Sequence, residues 1–313
     1  MNVFSDSGEL YTIRNEFFTN QHRKILSYSL DLFSDETKLK VLEFKIRSAV
    51  SLGEDASLML EEGRFLFPGN DEIVNALQLW NDLKTFGTDE STYFDDVKEA
   101  KFELQAVLTA FYMVKFHGDY DLAISLLVNF NNQNPNNLHE LEPYLVLIQL
   151  YLIQENYTEA KKLYQSFQKF PPSSRDSIIY QVLESWMLSI QGGSDNISNS
   201  YYFYYELLST EFENDPQGKF HILSVLFALT LQMKHYPEAQ ELADQIANLG
   251  YEGPQQADYI ANQIAFDYLT KDGDNVGALL KQLYQSNPEH HLLKDLKAKN
   301  DNFNEIIAKY QAA

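Results

Sequence analysis

The sequence predicts an all-α solenoid of helix–turn–helix pairs, and three observations carry that expectation. Apolar residues recur at i, i+3, i+4 and i+7 in segment after segment, while strand-like alternation is never sustained. Only nine prolines occur, and they sit where helices start or stop: Pro68, Pro135, Pro143, Pro171-Pro172, Pro216, Pro237, Pro254 and Pro288. A short signature repeats as Gly118-Asp119-Tyr120-Asp121-Leu122-Ala123, Glu155-Asn156-Tyr157-Thr158-Glu159-Ala160 and Lys234-His235-Tyr236-Pro237-Glu238-Ala239, each with an aromatic three residues before a small one. Weaker copies put Ser200 and Gly277 in the small slot, so successive copies lie 37, 40, 39 and 38 residues apart.

A near-constant period of this length, made of two helices, reads as a tetratricopeptide (TPR)-like repeat slightly longer than the usual ~34 residues. The small residue belongs where two helices cross most closely, since a larger side chain would force them apart. The whole chain, 1–313, is therefore expected to form one solenoid of about sixteen helices joined by short turns, curling into a superhelix or bracelet. Residues 1–98 read as degenerate repeats: Glu9–Phe33, Leu39–Phe67 and Glu72–Phe86 are amphipathic helical pairs, or parts of pairs, without a fixed register. Residues 99–286 hold the five clearer copies. Their packing stripes run Val107, Ala110, Phe111, Val114; then Tyr144, Leu147, Ile148, Tyr151; then Ile179, Val182, Leu183, Trp186; then Leu223, Leu226, Phe227, Thr230; then Ala261, Ile264, Ala265, Tyr268. Residues 287–313, with Leu296, Phe303, Ile306 and Ile307 among Lys, Asp and Asn, are expected to form a C-terminal helical cap. Thr85–Thr92 and Gln191–Ser198 are the longest expected non-helical stretches.

Composition narrows the function. Lys and Arg total 24 against 45 Asp and Glu, a net charge of −21, which opposes nucleic-acid binding and a basic membrane-surface helix. There are 43 aromatic residues (20 Tyr, 21 Phe, 2 Trp), ample for a core. With no cysteine, disulfides, thiolate metal sites and cysteine nucleophiles are excluded. Met1–Leu10 carries Asp6 and Glu9 and no basic segment, so no signal peptide is expected, and no stretch is apolar enough to span a bilayer. The expectation is a soluble protein of a reducing compartment.

Catalytic chemistry is sought and not found. No P-loop, G-x-G-x-x-G or H-E-x-x-H occurs: His139-Glu140 lacks its second His, and the adjacent His290-His291 point apart on a helix. Asp272-Gly273-Asp274-Asn275 opens like a calcium loop, but Val276 and Leu283 stand where oxygen ligands are required. Asp95-Asp96-Val97-Lys98-Glu99 mimics the acidic cluster of all-α, magnesium-dependent terpenoid synthases, and Asn81-Asp82-Leu83-Lys84-Thr85 with Asp89 their second motif. In that family, however, the second follows the first by over a hundred residues, and here it precedes it. No enzymatic activity, cofactor or metal is expected.

The remaining signal is a strip one step round from the packing stripes, where a TPR superhelix lines its inner groove. It includes Leu108, Tyr112, Phe116, Leu145, Gln149, Leu152, Tyr180, Tyr259, Asn262 and Phe266. A groove left in water should be polar, so an apolar strip marks a partner-binding site, unless the solenoid buries it against itself. No Lys or Arg falls on the strip, which sets aside a co-chaperone groove that clamps acidic peptides.

Four stretches carry a resemblance. They are Glu9-Leu10-Tyr11-Thr12-Ile13-Arg14-Asn15-Glu16-Phe17-Phe18, the Trp186 helix with Tyr201-Tyr202-Phe203-Tyr204-Tyr205-Glu206, the Tyr236–Ala239 turn, and the ending from Asn287-Pro288 through Lys294, Ala298-Lys299, Phe303 and Tyr310. On these the chain resembles the epsilon subunits of coatomer, the COPI vesicle coat. It departs from the family at Ser200 and Gly277, where Ala is usual, and at Asn304. The resemblance implies a non-enzymatic coat component whose TPRs curl around a segment from the C-terminal domain of the coatomer alpha subunit and stabilise it. It also implies contact with the rest of coatomer through alpha. The implied place is cytoplasmic, recruited peripherally to Golgi and COPI vesicle membranes, in Golgi-to-ER retrograde and intra-Golgi transport. The alternatives are a TPR adaptor or co-chaperone for another protein and, remotely, the terpenoid synthase-like enzyme.

Overall fold

A computed structural model describes residues 8–88, 91–133, 141–167, 172–209, 212, 215–253 and 255–311. Asp89, Pro135, His139-Glu140, Pro171 and Pro254 lie outside them. The described residues contain seventeen α-helices and no strand, as the periodicity predicts. They form two compact units, 1–191 and 192–313.

Unit 1 holds α1 (Tyr11–Phe18), α2 (His22–Leu26), α3 (Lys38–Ser51), α4 (Ser57–Leu66), α5 (Asp71–Phe86), α6 (Tyr93–Asp96), α7 (Glu103–Tyr112), α8 (Tyr120–Gln133), α9 (Glu142–Ile153), α10 (Tyr157–Ser166) and α11 (Ile178–Gln191). Unit 2 holds α12 (Ser194–Leu208), α13 (Pro216–Gln232), α14 (Tyr236–Leu249), α15 (Gln256–Lys271), α16 (Val276–Ser286) and α17 (His291–Gln311). Sequential helices pack as hairpins: α7 on α8, α9 on α10, α13 on α14 and α15 on α16.

The repeated signature is one turn built four times. Gly118, Glu155, Lys234 and Asp272, each five residues before the small slot, all adopt the left-handed conformation, with φ of 67°, 56°, 62° and 52°. The next backbone N–H then reaches back into the preceding helix: Asn156 donates to Tyr151 O at 2.8 Å and His235 to Thr230 O at 3.1 Å, the Schellman closure of a helix C-terminus. At the first copy a π-turn over Met113–His117 extends α7, so Asp119 donates one residue further back, to Met113 O. Asp272-Gly273-Asp274-Asn275 is this same turn, closed by Asn275, whose backbone and side-chain N–H groups donate to the Asp267 carboxylate at 2.8 and 3.0 Å.

Ala123, Ala160 and Ala239 are fully buried, and Ser200 nearly so. Gly277 is exposed, with open space where a side chain would stand, and Val276 takes the buried place. Ala160→Leu and Ala239→Leu are each expected to destabilise the chain by about 1–3 kcal/mol through overpacking, read as a lower denaturant midpoint at unchanged slope.

Glu9–Phe33 folds as two short helices: Asn20, at φ 64°, stops α1 after eight residues, and α2 is five residues long. Two local expectations need correction. The expected break at Gln191–Ser198 shrinks to Gly192-Gly193, both at positive φ, because α12 already starts at Ser194. In α15 only half of the predicted stripe holds: Ala261 and Ile264 pack on the core, but Ala265 and Tyr268 are exposed, and Tyr259, Ile260 and Phe266 are buried instead. A helix between two neighbours buries two faces. Ile260 and Ile264 pack with Leu283 of α16, while Tyr259 and Phe266 pack on Phe220 and Phe227 of α13.

Unit 1 also doubles back on itself, since α1 meets α11 and α3 is tied to α9. Arg47 of α3, 5% exposed, donates to both oxygens of Glu142 at the start of α9 (Nη1 to Oε2 at 2.9 Å) and to Glu43 at 3.2 Å. The Phe17 ring lies 4.7 Å from the guanidinium carbon, and Lys40 donates to Glu43 at 2.8 Å. Within the expected cap lies α17, where among the described residues Leu292 and Leu293 pack on the core and Leu296, Phe303 and Ile306 stay exposed.

Candidate functional site: the inner strip

The strip residues fall into two sets. In unit 1, Leu108 is fully buried in the core that α7 shares with α1–α6, and α7 packs on α5. The other six positions of that unit, Tyr112, Phe116, Leu145, Gln149, Leu152 and Tyr180, are half-buried or exposed. In unit 2, Tyr259 and Phe266 are buried between α15 and α13, and Asn262 is half-buried. Leu108, Tyr259 and Phe266 are therefore core residues of the free chain, placed where one repeat packs on the last.

Around Tyr112 the geometry is ordered. Its ring stacks on Phe94 at 5.3 Å on one side and on Phe116 at 5.5 Å on the other. Its hydroxyl donates to Asp95, which also holds His117 Nε2 at 3.1 Å, and the His117 ring meets Tyr112 edge-on. The π-turn brings Phe116 and His117 onto the side of Tyr112, and Phe116 is left 38% exposed at the end of the stack. On α9, Leu145, Gln149 and Leu152 follow one another along a single face, with Gln149 exposed. Tyr180 lies beside Tyr164, their hydroxyls 3.3 Å apart, with the Phe167 ring edge-on. Burial and the Tyr180 hydroxyl push the Tyr164 phenol well above its ordinary value, so it stays protonated and able to donate.

In unit 2 a cleft of about 610 Å³ opens between α13, α14, α15 and α16, lined by Phe220, Tyr251, Tyr259 and the amides of Gln256, Gln263 and Gln282 among others. Gln263 Nε2 donates to the Tyr259 hydroxyl at 2.9 Å, and burial pushes that phenol up to about 12.

The acidic motifs are taken up elsewhere. Asp95 belongs to the Tyr112 stack, and Asp96 accepts from Thr92 at 2.7 Å. Asn81, fully buried, accepts from the Ala56 N–H at 3.0 Å and donates to Asp55, while Asp82 accepts from Gln78. Among the described residues no cluster of three or more His, Asp or Glu could hold a metal ion, and no helix is long and apolar enough to cross a membrane. The Asp95–His117 contact and the Arg47–Glu142 pair are not legible in the sequence. Both join residues on different elements, with no spacing rule to mark them.

The family model described as the coatomer epsilon subunit matches residues 95–311, from the first acidic residue of the Tyr112 stack to the end of α17. The chain belongs to the coatomer epsilon subunit family. It is thus a subunit of the COPI vesicle coat, a structural component of vesicle transport. Helices α1–α5 precede the matched region and share the core that holds Leu108. No curated protein matches the chain.

Proposed function

We propose that this coatomer component binds and stabilises the C-terminal domain of the coatomer alpha subunit, and reaches the rest of the coat through it. On this reading the chain works at the cytoplasmic face of Golgi and COPI vesicle membranes, in Golgi-to-ER and intra-Golgi transport. The observation that carries the reading is the Phe94–Tyr112–Phe116 stack. Rings already held by their neighbours lose little freedom on binding, and an aromatic left open at the end of such a stack is the usual anchor of an interface. Gln149 and the half-buried Leu145, Leu152 and Tyr180 extend the surface along the same unit. Exposed Gln149 suits the main-chain groups of an inserted segment.

The test is direct binding of the purified chain to the C-terminal domain of alpha. Tyr112→Ala with Phe116→Ala is expected to weaken it more than a hundredfold, two anchors at about 2 kcal/mol each and ~1.4 kcal/mol per tenfold. Phe116→Ala alone controls for folding, because its ring contributes little to the core. Full affinity in both variants would exclude the stack as the site. Affinity purification from cytosol reads the wider claim: stoichiometric recovery of coatomer supports it, and chaperones without coatomer overturn it.

A further inference from the structure

We propose that α17 pairs antiparallel with α17 of a second copy of this chain. The helix runs 21 residues, about 30 Å, and none of its described side chains is fully buried. Its middle reads Asn300-Asp301-Asn302 with Asn304, all weak helix formers. Helices in proteins owe most of their stability to a packed apolar face. Here that face is open: Leu296 is 41% exposed, Ile306 52%, Phe303 60% and Tyr310 81%.

The face has the spacing of a coiled-coil seam. It starts at Leu292, which is half-buried against the core of α15 and α16, and runs open through Leu296, Lys299, Phe303, Ile306 and Tyr310, at intervals of four, three, four, three and four. The seam is self-complementary when reversed. With two copies antiparallel, Leu292 lies opposite Tyr310, Leu296 opposite Ile306, and Lys299 opposite Phe303, each twice by symmetry. On the flanks Leu293 then meets Ile307, and Asp295 meets Lys309. Lys309 has no ion pair among the described residues, so this partner leaves none of its own contacts behind. Asp295 holds the Lys299 ammonium at 2.6 Å, which draws the charge out of the seam and lays the lysine stem across it, towards the Phe303 ring of the other copy. Parallel pairing would instead set the two Lys299 side by side. Charge and shape therefore select the antiparallel arrangement. Two helices of this length make a small interface, and the −21 charge of each chain opposes it, so the dimer is concentration-dependent.

Sedimentation equilibrium of the full chain at physiological ionic strength tests this. The mass is expected to rise with concentration from 36.2 kDa towards twice that value. Leu296→Asp with Ile306→Asp is expected to hold it at one chain throughout, with the folded units intact by circular dichroism. Lys309→Asp sets like charges opposite each other and is expected to weaken the dimer, while Lys309→Arg, which keeps the charge facing Asp295, is expected to preserve it. A wild-type chain that stays at 36.2 kDa overturns the proposal, including the case in which mass rises only on mixing with another coat protein. A dimer that survives Leu296→Asp with Ile306→Asp, or one that Lys309→Asp leaves unweakened, also overturns it. The assay of binding to alpha is independent of all these outcomes.

Discussion

Glu142→Ala is expected to destabilise the chain by about 3–5 kcal/mol. The substitution leaves the Arg47 guanidinium buried, with only Glu43 at 3.2 Å to answer it. Desolvation makes an unpaired buried charge far costlier than the pair is favourable. For the same reason, replacing Glu43, Arg47 and Glu142 together by apolar residues of similar volume is expected to be close to neutral. Chemical denaturation of the two variants separates the cases, and equal losses in both would show that packing rather than charge is at stake. The pair also gives a pH dependence of definite sign. Burial pushes the Glu142 carboxyl up, but the facing Arg47 more than offsets it and holds the group below its ordinary value of 4.5. A carboxylate with a depressed folded pKa contributes its full stability above the unfolded value and loses it as pH falls through the folded one. The acid limb of the stability profile is therefore expected to start below about pH 4.5 and to flatten in Glu142→Gln.

The fold is largely legible in the sequence because helical periodicity is local. A left-handed residue followed by an aromatic and a buried alanine marks the same turn at Gly118, Glu155 and Lys234, and the spacing alone locates it. Legibility fails where two elements far apart in sequence decide the outcome. Arg47 and Glu142 are 95 residues apart, and each in isolation reads as one more charge on a helix surface. The same limit governs the strip. Periodicity reports that Leu108, Tyr259 and Phe266 lie off the intra-repeat stripe, which is true, but it cannot report that the neighbouring repeat stands on them. Periodicity also places Tyr112 and Phe116 as a pair of ring positions. Their stacking on Phe94 depends on α6, a four-residue helix with no periodic signal of its own.

Phe266 and Phe116 decide between these two kinds of strip residue, because the same substitution is expected to act oppositely at each. Phe266 is 7% exposed and meets the Phe227 ring edge-on at 5.5 Å, inside the core that α13, α14 and α15 share. Phe266→Ala removes that ring and leaves a cavity beside Phe227, which is expected to cost about 3–5 kcal/mol of stability. Phe266→Leu keeps most of the volume and is expected to recover most of the loss. Phe116, more than a third exposed, has little core to lose, so Phe116→Ala is expected to leave the denaturant midpoint nearly unchanged and to act on partner binding. Measured on one chain under one set of conditions, a fallen midpoint for Phe266→Ala alone marks it as a residue that positions α15. Any binding defect it shows is then secondary to unfolding. An unchanged midpoint for Phe266→Ala with lost binding would instead return it to the partner surface, because a ring that holds no core together can be missed only by what docks on it.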